Sequence, residues 1–112
     1  MQAVQIHNGF FLVLDRGEEV FSTLGAFCRQ TEIHWAQFSG IGAVENVEIG
    51  YYDLPNRSYV FRQEAGPFEV ANMDGNVAEF EEEPIIHAHG VLSRCDESLA
   101  CIGGHFRSAT VA

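Results

Sequence analysis

Apolar and polar positions follow two different periods along this 112-residue chain, and the change of period marks out its elements. Phe10 to Leu14 is a short apolar run that predicts a strand, and it stops at Asp15-Arg16-Gly17-Glu18. There an acidic N-cap residue with a glutamate three positions on comes close to a capping box. From Glu18 to Gln30, the residues Val20, Phe21, Leu24, Phe27 and Cys28 fall at i, i+1, i+4, i+7 and i+8, which predicts a helix with one apolar stripe. Such a helix has to lie on a sheet, and Cys28 on that stripe reads as a small buried hydrophobe.

The rest of the chain reads as strands. Trp35 to Phe38 predicts one that enters Ser39-Gly40-Ile41-Gly42-Ala43, where the glycines imply a tight bend or a close backbone approach. No Lys-Ser/Thr and no amphipathic helix follows, so this is not a phosphate loop. From Val44 to Leu54, a period of two puts Val47, Ile49 and Tyr51 on one face and Glu48 and Gly50 on the other. Glu45 falls on the apolar parity, so the regular strand is expected to start after it or bend there. Asp53 to Ser58 reads as a hairpin turn into Tyr59-Val60-Phe61, with Arg57 and Arg62 on the solvated face. Gly66-Pro67 breaks the chain before Phe68 to Met73, and Asp74-Gly75 predicts a bulge or turn ahead of Val77 to Phe80. Glu81-Glu82-Glu83-Pro84 reads as a solvated loop. One helix and about six short strands give an α+β fold, a mostly antiparallel sheet with one main amphipathic helix packed on it.

Candidate chemistry is concentrated in Pro84 to Phe106, which holds His87, His89 and His105. Alternation along a strand sends His87 and His89 to the same side, their Cα atoms about 6.6 Å apart. A three-residue turn at Asp96-Glu97-Ser98 would pair Cys95 with Leu99, and counting back along both strands then sets His105 opposite His89 and diagonal to His87. A slip of one residue would send His105 to the other face. Neutral imidazoles in a set of three suit zinc or a similar divalent ion with a position left open. His7 and His34 lie outside the constellation, and His34, beside Trp35 near the end of the helical region, reads as a loop or surface residue. The final run Phe106 to Ala112 reads as the start of another strand that stops without a polar tail.

Length and charge narrow the function classes. A chain of 112 residues supports one domain, taken as 1–112. Its 16 acidic residues outweigh six basic ones, all arginine, and a net charge of −10 opposes polyanion binding. The three cysteines lack CxxC spacing and read as free thiols in a reducing compartment. No apolar run approaches the roughly 18 residues of a membrane span, and the N-terminus has no basic signal region, so a cytoplasmic location is expected.

Several segments in order resemble one known family. They are Asp15-Arg16-Gly17-Glu18-Glu19-Val20, Phe38-Ser39-Gly40-Ile41-Gly42-Ala43, Gly50-Tyr51-Tyr52-Asp53, Phe68-Glu69-Val70, His87-Ala88-His89-Gly90 and Gly103-Gly104-His105. Together they resemble the PPC domain shared by plants and prokaryotes, also known as the domain of unknown function 296. The resemblance implies an antiparallel sheet with a packed helix, a compact homotrimer, and a metal ion held by His87, His89 and His105. It also implies a further C-terminal strand beyond Ala112, which this chain would lack. Plant members join the domain to Arg-Gly-Arg-Pro arms that enter the minor groove of DNA, and nothing like that arm occurs here.

Three classes of function follow. A metal-binding trimeric module comes first, a regulator that binds DNA or a partner protein second, and a metalloenzyme whose open position activates water or takes a small-molecule ligand third. An enzyme needs a general acid or base, for which Glu69, Asn76 and Ser39 are the polar candidates in or near the matched segments.

Overall fold

The computed structural model describes residues 1–112 as β1 (Gln2–Ile6), β2 (Gly9–Val13), α1 (Val20–Gln30), β3 (Ala36–Asp53), β4 (Ser58–Glu64), β5 (Phe68–Phe80), β6 (Glu83–Arg94) and β7 (Cys101–Val111). The α+β class holds, with every strand pairing antiparallel. Strand β3 is the spine. Its first half, Ala36 to Val44, pairs with β5, and Val47 to Asp53 pairs with β4, so β4 and β5 follow one another along it. Strand β6 pairs with β5, β7 with β6, and β7 returns to β3 through Val44 to Gly50. Strands β3, β5, β6 and β7 therefore close into a ring.

Alternation decides what fills it. Val44, Val47, Ile49, Phe68, Val70, Ala88, Leu92, Phe106 and Ala109 form the buried cluster, and Val20 and Phe21 of α1 pack against it. The helix is tied to β7 at its start. Glu19 accepts from Ser22 N at 2.7 Å as the N-cap and from Ala109 N at 3.0 Å. The expected cap at Asp15 is thus displaced, because Glu18 is spent accepting from Asp15 N at 2.6 Å ahead of the helix. Cys28 is buried as expected, and burial pushes its thiol up, away from reactivity. No helix is long and apolar enough to cross a membrane.

Several boundaries differ from the pattern reading. The mixed sequence Gln2-Ala3-Val4-Gln5-Ile6 forms β1, which pairs only with β2 and was not expected. Gly40 and Gly42 mark a bulge inside one 18-residue strand. The bend expected at Glu45 is present, with Asn46 at φ 51° and a register shift between Glu45 and Glu48. Tyr51, on the apolar parity, lies beyond the core and is exposed. Asp74-Gly75 is neither turn nor bulge. A Cβ at Gly75 would strike the Phe38 ring and the His87 carbonyl, so this glycine serves close strand packing. The bulge lies earlier, between Val70 and Asn72. Phe106 to Val111 is not the start of another strand but the second half of β7, which runs unbroken through Gly103-Gly104.

Candidate metal centre

The histidine face is set by what lies behind it. Ala88, between His87 and His89, and Phe106, next to His105, point inward with 2% and 5% of their surface exposed. Period-two alternation then turns all three imidazoles outward. Register completes the arrangement, because His89 pairs directly with His105 across β6 and β7. The turn between these strands differs from the expected three-residue loop. Arg94 N donates to Ala100 O, and Leu99, at φ 49°, donates to Asp96 O. The pairing sum is the same, so the register survives.

The side chains converge closely. His89 Nε2 is 3.1 Å from His87 Nε2 and 3.3 Å from His105 Nδ1. One nitrogen from each ring lies within 4.8 Å of the others, and this is the only convergent grouping of potential metal ligands in the chain. His105 is the most enclosed of the three, with Tyr59 and Phe61 of β4 at ring distances of 4.6 and 5.8 Å. Burial holds its pKa below the ordinary histidine value, and the charges His87 and His89 carry when protonated push the same way. Its imidazole is therefore neutral at pH 7, with a lone pair to offer. Glycines bring these strands together. Gly104 approaches β3 so closely that a Cβ on it would meet the Gly50 carbonyl oxygen.

This fold and these segments have relatives. A family model, the Plants and Prokaryotes Conserved (PCC) domain, matches residues 1–112. The chain belongs to the PCC family. A PCC-type protein of Pyrococcus horikoshii, described as plant- and prokaryote-conserved, is 32% identical at a TM-score of 0.82, covering 88% of this chain and 67% of that one. A protein of Archaeoglobus fulgidus described as metal-containing is 36% identical at a TM-score of 0.80, covering 88% and 68%. A protein of Ralstonia eutropha JMP134, named as a candidate DNA-binding protein, is 32% identical at a TM-score of 0.90, covering 98% and 74%. No curated protein matches the sequence.

Within this PCC domain the other polar candidates fall at different distances from the histidines. Asn76 stands directly across from His87, on β5. Ser39 pairs with Asp74, which pairs with His89, so Ser39 is two strands away. Glu69 pairs with Ser93, four residues along β6 from His89 and about 13 Å off at strand rise. His7 is exposed in the β1–β2 turn, and His34 contacts Glu79 at 2.8 Å. Glu81 and Glu82 are solvated turn residues, and Glu83 pairs with Arg29 at 3.1 Å. Pattern reading missed Tyr59, Phe61 and Asp74 as neighbours of the site. Tyr59 and Phe61 reach it only through the β3 crossover. For Asp74, the available signal was parity with Asn76 on one strand.

Proposed function

We propose that the domain binds one divalent transition metal ion, zinc or a close analogue, through His87 Nε2, His89 Nε2 and His105 Nδ1. The observation that carries this is the convergence of three imidazole nitrogens within 4.8 Å on one open face. Separations of 3.1 and 3.3 Å suit tetrahedral ligation, where zinc–nitrogen bonds of about 2.0–2.1 Å set ligand atoms about 3.3 Å apart. The donor chemistry agrees, since neutral imidazoles without thiolates are ligands for zinc sites that keep a position open. A bound ion would supply a Lewis acid there, able to hold water or a small-molecule ligand. The chain's own part is to hold His105 neutral by burial and to keep its ring against Tyr59. The description of the Archaeoglobus relative as metal-containing supports the reading.

The role suggested by the name of the Ralstonia relative is not carried over. Four of the six arginines are engaged with glutamates, as Arg29 with Glu83, Arg62 and Arg94 with Glu64, and Arg107 with Glu48. A free basic face is therefore hard to assemble on a chain of charge −10. We place the protein in a reducing cytoplasm, supported by three free cysteines. Association into a homotrimer is part of the same proposal. Its support is the run of large apolar side chains left exposed on single strands and turns, among them Phe11, Ile41, Tyr51, Tyr52 and Tyr59, which an interface between copies would cover. Light scattering at micromolar concentration is expected to give three times the 12.4 kDa chain mass, and a monomer mass would exclude that part.

Elemental analysis tests the metal reading. Protein purified without added metal is expected to carry about one equivalent of a transition ion per chain, and the variant His87→Ala/His89→Ala/His105→Ala none. Retention at wild-type stoichiometry by that variant would overturn the assignment.

A further inference from the structure

The three candidate ligands have different neighbours across the sheet. His105 has Gly50 opposite it on β3 and the rings of Tyr59 and Phe61 beside it. His87 has the neutral amide of Asn76. Only His89 has a carboxylate, that of Asp74, directly across on β5. Residues directly opposite in an antiparallel pair share a face, their Cβ atoms about 4.5–5.5 Å apart.

Asp74 has no evident structural work. It is exposed, forms no ion pair and accepts no side-chain hydrogen bond, whereas every arginine in an ion pair has taken a glutamate. Aspartate is also disfavoured in strand interiors, and here it sits in the middle of a 13-residue strand. His89, for its part, turns Nε2 toward both other histidines, which leaves Nδ1 as its unengaged nitrogen.

We infer that Asp74 is a positioning residue for this centre: from its place directly opposite His89, its carboxylate would turn from solvent to accept the Nδ1–H of His89 and so hold the tautomer whose Nε2 lone pair faces His87 and His105. The inference rests on the metal reading above. A carboxylate behind a metal-binding imidazole fixes the ring and raises its basicity. Asp74 and His89 are anchored by the same β5–β6 register, so the pair is set by the sheet and not by a mobile loop.

The test uses the full chain with nitrogen-15-labelled histidine. Imidazole nitrogen shifts report the His89 tautomer with and without zinc, and a competing chelator gives the zinc affinity. In wild type, His89 is expected to be Nδ1-protonated even in zinc-free protein. Asp74→Ala is expected to lose that bias and weaken zinc binding about 10–100-fold. Asp74→Asn keeps an acceptor but no charge, so it should keep the tautomer and bind with intermediate affinity. Glu97→Ala removes the same charge from the exposed β6–β7 loop and should leave affinity within about twofold, since exposed charges at a distance are screened. Equal tautomer populations in wild type and Asp74→Ala would overturn the role of Asp74 while leaving the metal site standing. Absence of zinc binding by wild type would instead overturn the metal reading, and the zinc-free tautomer would still decide whether Asp74 bonds His89.

Discussion

His105 stands directly across the β6–β7 ladder from His89, with its Nδ1 3.3 Å from His89 Nε2. The hydrogen-bond and ring partners of the three imidazoles are one another and the rings of Tyr59 and Phe61, none of them in the β6–β7 loop. What sets the pair is register, because side chains alternate and a shift of one residue would carry His105 to the core face. One extra glycine after Glu97, in the exposed loop, is therefore expected to leave zinc affinity within about threefold, as loop lengthening costs little. One extra residue between Cys101 and Gly103 should abolish binding. Equal affinities for the two insertions, measured by competition titration, would contradict the register argument.

The ligand set makes a separate prediction. Alanine at His87, His89 or His105 should each cost more than the about 10–100-fold typical of outer partners. His7→Ala and His34→Ala should change nothing beyond the loss of an exposed contact to Glu79, worth about 0–1 kcal/mol. Protons compete for the same lone pairs, so affinity should fall as pH drops through the histidine range near about 6.5. His105 is held below the ordinary value and stays a neutral ligand further down that range. A zinc affinity that does not change from about pH 5 to about pH 8, an interval reaching about one and a half units to either side of that value, would exclude imidazole ligation.

Much of this histidine arrangement is legible in the sequence. The H-x-H spacing of His87 and His89 fixes a shared face in any extended strand, and the choice of a loop centred on Glu97 gave the observed His89–His105 pairing. The loop's conformation was wrong and its register right, because register depends on where the loop is centred and not on its hydrogen bonds. The helix stripe from Val20 to Cys28 was equally plain, since 3.6-residue periodicity is local. What escaped was non-local. Asp74-Gly75 carries a strong turn signal by composition, yet it runs straight because Gly75 lets Phe38 and the His87 backbone close in. The approach of Tyr59 to His105 needs β3 to pair with both β4 and β7, a relation between three segments that no single pattern contains.

Gly104 offers a test of how closely the strands must approach. Alanine there would press its Cβ against the Gly50 carbonyl oxygen, a backbone atom and not the end of a flexible side chain, at a residue whose φ of +156° already disfavours a side chain. The expected cost is about 1–3 kcal/mol, seen as a lower midpoint in denaturant, together with weaker zinc binding as His105 is displaced. Unchanged stability in Gly104→Ala would mean that β3 and β7 lie further apart than described.

For DNA the expectation is negative. With a charge of −10 and most arginines engaged by glutamates, counterion release has no concentrated cationic surface to draw on. Anisotropy titration at physiological salt should show no appreciable binding to duplexes of any composition. Sub-micromolar binding with a steep salt dependence would contradict it.

The most direct measurement is the position of the metal itself. Crystals grown with one equivalent of zinc and measured on both sides of its absorption edge should give one strong anomalous peak per chain, about 2.0–2.1 Å from His87 Nε2, His89 Nε2 and His105 Nδ1. A peak at the Glu81–Glu83 run, or no ordered peak beside the three histidines, would contradict the account.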